Sequence, residues 1–176
     1  VVPEYEGIMT YDFIVDNNDK VYVFFILSYF PSGAHYCTIE NGVLSPMLTP
    51  YVSNDQMFSI RQAVVDHNNN LHCIGSHTTP GSTVPKAAYY FYNSQADSWE
   101  GPTPLGTNRL WWGYTIGLDN NDNPHLAWEE YIPSPTQVCY TSRIDGLWNP
   151  VEIITTESSP ISMVYKDSTQ YLISYK

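Results

Sequence analysis

The chain has 176 residues, enough for one sizeable domain, and carries 7 Lys and Arg against 18 Asp and Glu, a formal net charge of -11. Such a charge repels phosphate backbones and anionic bilayers, so it argues against nucleic acid and membrane partners. Only 14% of the residues are charged while 15% are aromatic, and a polar surface built from Tyr, Asn, Ser and Thr suits a β-rich protein exposed outside cells.

The chain opens Val1-Val2-Pro3 without a basic-then-apolar leader, and its longest apolar run, residues 21–27, is too short to cross a bilayer. We expect a secreted or extracellular protein, delivered by signal removal or excised from a longer chain. No Asn-x-Ser/Thr acceptor occurs, which points to a bacterial or phage source. Cys37, Cys73 and Cys139 lack metal-finger spacing and are an odd count, so they read as free thiols on strands.

A first hairpin is predicted over Tyr11-Asp12-Phe13-Ile14-Val15-Asp16-Asn17-Asn18-Asp19-Lys20-Val21-Tyr22-Val23. An apolar strand runs into Asp-Asn turn chemistry and out into a second apolar strand. The pattern returns in Gln62-Ala63-Val64-Val65-Asp66-His67-Asn68-Asn69-Asn70-Leu71-His72-Cys73 and in Thr115-Ile116-Gly117-Leu118-Asp119-Asn120-Asn121-Asp122-Asn123-Pro124-His125-Leu126. An eroded fourth copy follows around Asp167. Asp16 to Asp66 is 50 positions, Asp66 to Asp119 is 53 and Asp119 to Asp167 is 48, close to the period of four-stranded propeller blades.

After each hairpin come a Gly/Pro/Ser loop and two further predicted strands, at 34–40 and 43–48, 87–92 and 99–105, and 137–142 and 148–155. We therefore read an all-β chain of four-stranded antiparallel blades, a β-propeller of about three and a half blades. The repeats fall at about 8–50, 57–105 and 111–155, with a partial unit at 161–176, in a single domain or part of one over 1–176. The partial unit leaves an open edge, so a homodimer, or the missing blades of a longer chain, is expected to complete the ring.

The second turn of each unit also repeats. Ser94-Gln95-Ala96-Asp97-Ser98-Trp99 parallels Ser142-Arg143-Ile144-Asp145-Gly146-Leu147-Trp148, and Glu40-Asn41-Gly42-Val43 is a copy without the Trp. At these residues the chain resembles the sialidase-like Asp-box propeller repeat family, whose turn reads S-x-D-x-G-x-x-W; Ile144 stands at the Asp position, Asp145 comes one place late and Trp148 one place early. The resemblance covers essentially the whole chain and implies the fold. Sialidases, polysaccharide lyases and propeller lectins share such blades.

Sialidase chemistry needs three converging arginines and a tyrosine nucleophile. The chain holds only Arg61, Arg109 and Arg143, with Arg143 in the Asp-box-like turn, away from the usual substrate face. Asp119, Asn121, Asn123 and Glu130 sit at calcium-loop spacing, but Pro124 occupies the place where a sharp turn needs Gly, so turn chemistry is the better account. His72 and His125 occupy equivalent repeat positions and read as structural. No metal, cofactor or catalytic residue is assigned.

What remains is one loop face, with Tyr29, Phe30, Tyr51, His77, Arg109, Trp112, Glu129 and Tyr131. Aromatic rings stack on the C–H faces of sugars and carboxylates take their hydroxyls. The expectation is a lectin-like carbohydrate-binding propeller without catalysis. The alternatives are a partial propeller of a glycoside hydrolase or polysaccharide lyase, and a protein-interaction propeller.

Overall fold

The computed structural model describes residues 8–27, 34–50, 58–79, 81–131, 136–156, 161–166 and 169–174, which form strands and turns with no helix. Blade 1 comprises β1 (Ile8–Val15), β2 (Val21–Leu27), β3 (Ala34–Glu40) and the short β4 (Val43–Leu44). Blade 2 comprises β5 (Phe58–Val65), β6 (Leu71–His77), β7 (Lys86–Asn93) and β8 (Ser98–Pro104). Blade 3 comprises β9 (Arg109–Leu118), β10 (Pro124–Tyr131) and β11 (Gln137–Ile144), with its outer edge in two pieces, β12 (Leu147–Trp148) and β13 (Glu152–Thr155). A hairpin of β14 (Ile161–Lys166) and β15 (Thr169–Ser174) follows. Each sheet is antiparallel, and its strands pair in chain order.

The fourth strands are more broken than periodicity predicts. In blade 1 the pairing stops after Leu44 and resumes only as a bridge between Tyr36 and Leu48. Ser45 explains the gap, since its Oγ accepts the Thr38 N–H at 2.9 Å and replaces a ladder bond just before Pro46.

The Asp turns are built alike. Asp16 Oδ1 accepts the N–H groups of Asn18 and Lys20, Asp66 Oδ1 those of Asn68 and Asn70, and Asp119 Oδ1 those of Asn121 and Asn123, all within 2.8–3.0 Å. Each turn then needs one left-handed residue, supplied by Asp19 (φ 63°), Asn69 (65°) and Asp122 (62°), the residue types that tolerate it. The outer turns Asn41-Gly42 and Asp145-Gly146 have φ positive at both positions, as two-residue hairpins require.

Blades are stitched at two levels. The left-handed residue of one turn reaches the preceding blade: Asn69 Oδ1 accepts the Asn17 N–H at 2.9 Å, and Asp122 Oδ1 meets His67 Nδ1 at 2.7 Å. The first strands of successive blades also pack against one another, which makes them the inner ring. Four residues before each turn Asp, a side-chain oxygen accepts a backbone N–H of the next blade: Asp12 from Ala63 at 2.8 Å, Gln62 from Ile116 at 3.1 Å and Thr115 from Met163 at 3.2 Å.

The core lies between sheets rather than within one. Tyr22, Phe24, Ala34 and Tyr36 of blade 1 pack on Ile60, Ala63, Leu71, Cys73, Tyr90 and Tyr92 of blade 2. Ile74, Ala87 and Tyr89 of blade 2 pack on Leu110, Ile116, Leu126 and Trp128 of blade 3. Trp99 and Trp148 close these cores from the fourth strands, against Tyr36 at 5.6 Å and Tyr89 at 5.0 Å.

Covering a blade on both faces explains why β6 is buried along its whole length. It also shows what blade 1 lacks. Phe13, Val15 and Leu44 occupy the positions of Ala63, Val65 and Trp99, yet Phe13 is 67% exposed and Val15 47%.

Candidate functional site

The Asp turns gather at one end of the inner ring; the second strands end, and the first strands begin, at the other. At that second end β5 and β9 carry a polar cluster. A register shift between Ile60 and Gln62 places Arg61 in a bulge. Its Nε donates to Ser59 Oγ at 2.9 Å, its guanidinium lies 5.9 Å from the centre of the Tyr114 ring, and Ser59 Oγ meets Ser76 Oγ at 2.7 Å. Gly75 permits this geometry, because a Cβ there would overlap the Ser59 carbonyl.

Next to Tyr114, Gly113 donates its N–H to Glu129 Oε2 at 2.9 Å, and Glu129 is 3% exposed. A Cβ on Gly113 would come within 2.8 Å of that carboxylate oxygen, so the glycine gives Glu129 its place. Glu130, on the other face of β10, accepts from the Thr107 N–H and Trp128 Nε1 through Oε1 and from Asn108 and Gln137 through Oε2. Four donors on a buried carboxylate make it an anchor for the loop entering blade 3.

Among the residues expected from sequence, Arg109 and Tyr131 are cross-strand partners and both are exposed, while Glu129 lies two positions from Tyr131 on β10. Trp112 belongs to β9 between them, and its side chain lies outside the described set. Tyr29, Phe30 and Tyr51 also lie outside it. His77, expected on a loop, is the last residue of β6 and is 3% exposed. Burial and the neighbouring Lys86 hold its imidazole below the usual value.

Arg61, Tyr114, Ser59 and Ser76 were not picked out from the sequence. One signal was available: counted back five places from the turn Asp, Tyr11, Arg61 and Tyr114 share a repeat position, one residue before the inter-blade acceptors Asp12, Gln62 and Thr115.

The structural His positions repeat in detail. His72 Nε2 lies 3.3 Å from Asp66 Oδ2, and Tyr89 OH lies 2.7 Å from His72 Nδ1. Because the carboxylate only accepts, Nε2 carries the proton and Nδ1 accepts from the phenol. His125 stands likewise 3.7 Å from Asp119 and 2.6 Å from Tyr140 OH.

Comparison of the sequence with family models and with curated proteins gives no match. Solved structures do match. A polysaccharide lyase of family PL25, an ulvan lyase bound to -[GlcA(1-4)Rha3S]-, aligns with TM-score 0.68 and 13% identity over 87% of this chain and 46% of its own. An α-L-arabinofuranosidase of the GH43 type from Clostridium thermocellum aligns with TM-score 0.51 and 11% identity over 93% of this chain and 59% of its own. The chain thus spans about half the length of these structures. The likeness shows the fold, a β-propeller type of four-stranded antiparallel blades.

Proposed function

We propose that this chain is the glycan-handling portion of a propeller enzyme, and that the polysaccharide lies across the end of the ring carrying Arg61, Tyr114, Glu129, Arg109 and Tyr131. The observation that carries this reading is a guanidinium on the Tyr114 ring of the inner strands, with Glu129 of the adjacent strand bonded to Gly113 beside that tyrosine, in a fold shared with a lyase and a glycosidase. Arg61, held by Ser59 and the Tyr114 ring, is suited to a carboxylate or sulfate on a sugar. Tyr114, on which Arg61 lies, and Glu129, held by the N–H of the neighbouring Gly113, are the candidate proton carriers. Arg109 and Tyr131 form an exposed rim where a sugar face can stack.

The test is incubation with uronate-bearing polymers and with arabinan. Absorbance of unsaturated sugars follows elimination and new reducing ends follow hydrolysis. Products from either class support the proposal. Binding without products returns the reading to a non-catalytic lectin, and neither binding nor products overturns it.

The exposed face of blade 1 favours a further blade seated on it, from a second copy or from a longer chain, because the matching positions of blade 2 are buried or partly buried against blade 1.

A further inference from the structure

At the turn end, far from the cluster just described, the three Asp turns differ in one respect. In blade 2, Asp66 Oδ2 is filled by Asn70 Nδ2 at 2.8 Å and His72 Nε2 at 3.3 Å. In blade 3, Asn123 Nδ2 occupies Asp119 Oδ2 at 2.9 Å, with His125 behind it. Blade 1 has Lys20 and Tyr22 at these two positions. Among the described residues, Asp16 Oδ2 accepts no hydrogen bond, and neither does the Tyr22 hydroxyl make one, although Asp16 is 8% and Tyr22 2% exposed.

Beside these groups lies an open cavity of about 220 Å³ between blades 1 and 2, lined by Asp16, Lys20, Tyr22, Glu40, Asn69 and Ser94, among others. Lys20 is drawn to its wall, 5.2 Å from the centre of the Tyr22 ring and 3.9 Å from Glu40. Both polar groups, on side chains that are otherwise buried, open onto this one cavity, where a ligand can supply their partners.

We propose that this cavity is a second binding site, for a neutral polyhydroxylated ligand of about one sugar residue. Hydroxyls donate to Asp16 Oδ2 and accept from the Tyr22 phenol and the Lys20 ammonium. With the Tyr22 pKa pushed up to about 12 by burial and by the nearby Asp16, the phenol remains a donor at neutral pH. Two carboxylates against one ammonium select against acidic sugars, the opposite preference to that of Arg61. The volume, below the range of about 300–1,000 Å³ for drug-sized sites, admits one residue rather than an oligosaccharide.

The experiment is an NMR titration of the full chain with glucose, galactose, mannose, rhamnose and xylose at millimolar concentrations, with glucuronic acid for comparison. At least one neutral sugar should shift the amides of Tyr22, Asn69 and Ser94, and glucuronic acid should shift them less. Tyr22→Phe, which keeps the ring, should weaken that binding about tenfold, the equivalent of one lost hydrogen bond. The double variant Lys20→Asn with Tyr22→His rebuilds the blade 2 arrangement and should abolish binding at a temperature where its amide spectrum shows it folded, while Tyr22→Phe keeps the ring packed on Tyr36 and Tyr92. Shifts from none of the five sugars, or shifts that survive in the double variant, overturn the proposal. Arg61→Ala leaves these shifts unchanged, so the result is independent of the site at the other end.

Discussion

Asp12 Oδ2 accepts the backbone N–H of Ala63 at 2.8 Å and so ties the first strand of one blade to that of the next. The carboxylate is partly buried, and burial raises its pKa. A raised carboxyl pKa means that the folded state holds its proton more tightly than the unfolded one. That contribution is complete below the unfolded value and is lost as pH rises through the folded one. Asp12→Asn keeps an accepting oxygen and cannot ionise, so it should melt at or above the wild-type temperature at neutral pH, with the gap closing on acidification. A large drop at neutral pH would show that the charge itself is required.

Asp66 and Asp16 make the same turn bonds but differ at Oδ2. Asp66→Ala strands the Asn70 and His72 donors in a buried place and should cost about 3 kcal/mol. Asp16→Ala loses only turn bonds and should cost about 1 kcal/mol. Equal costs in denaturant melts would remove the distinction on which the vacant position in blade 1 rests.

His35, His72 and His77 are all held below the ordinary imidazole value of 6.5, chiefly by burial. Their folded pKa values lie below the unfolded ones, so their contribution is present above about pH 6.5 and is lost as pH falls below it. Melting temperature should therefore decline on acidification from pH 6.5, less steeply in His72→Gln. An unchanged slope in that variant would mean that His72 does not contribute.

Blade 1 exposes Phe13, Val15 and Leu44 where blade 2 buries Ala63 and partly buries Val65 and Trp99. If another blade covers this face in solution, light scattering on the 20.0 kDa chain should give a dimer or larger species, and Phe13→Asp should reduce it to a monomer. A monodisperse wild-type monomer would refute pairing between copies of this chain.

The blade pattern was legible because turn chemistry is local. An Asp that caps two N–H groups and an Asn or Asp with positive φ must recur at a fixed spacing, and Asp16, Asp66 and Asp119 do. The equivalence of His72 and His125 follows for the same reason. The site was less legible. Arg61 owes its position to a bulge and to Gly75 on the neighbouring strand, and Glu129 owes its own to Gly113; neither pairing leaves a spacing signature. Glu129 and Glu130 are adjacent carboxylates, yet only the structure shows that Glu130 is consumed by four donors.

Gly113→Ala presses a methyl group on the buried Glu129 side chain. If the chain cleaves a glycan as proposed, the variant should cut that cleavage by about tenfold or more at a temperature where it remains folded. Unaltered cleavage would place the chemistry away from Glu129.

If Arg61 and its neighbours act on a polysaccharide, polymer chain length followed over time by size exclusion should separate wild type from Arg61→Ala at matched stability. Wild type should shorten at least one polymer and the variant should not. Shortening at the same rate by both proteins, or by neither, would contradict the proposal.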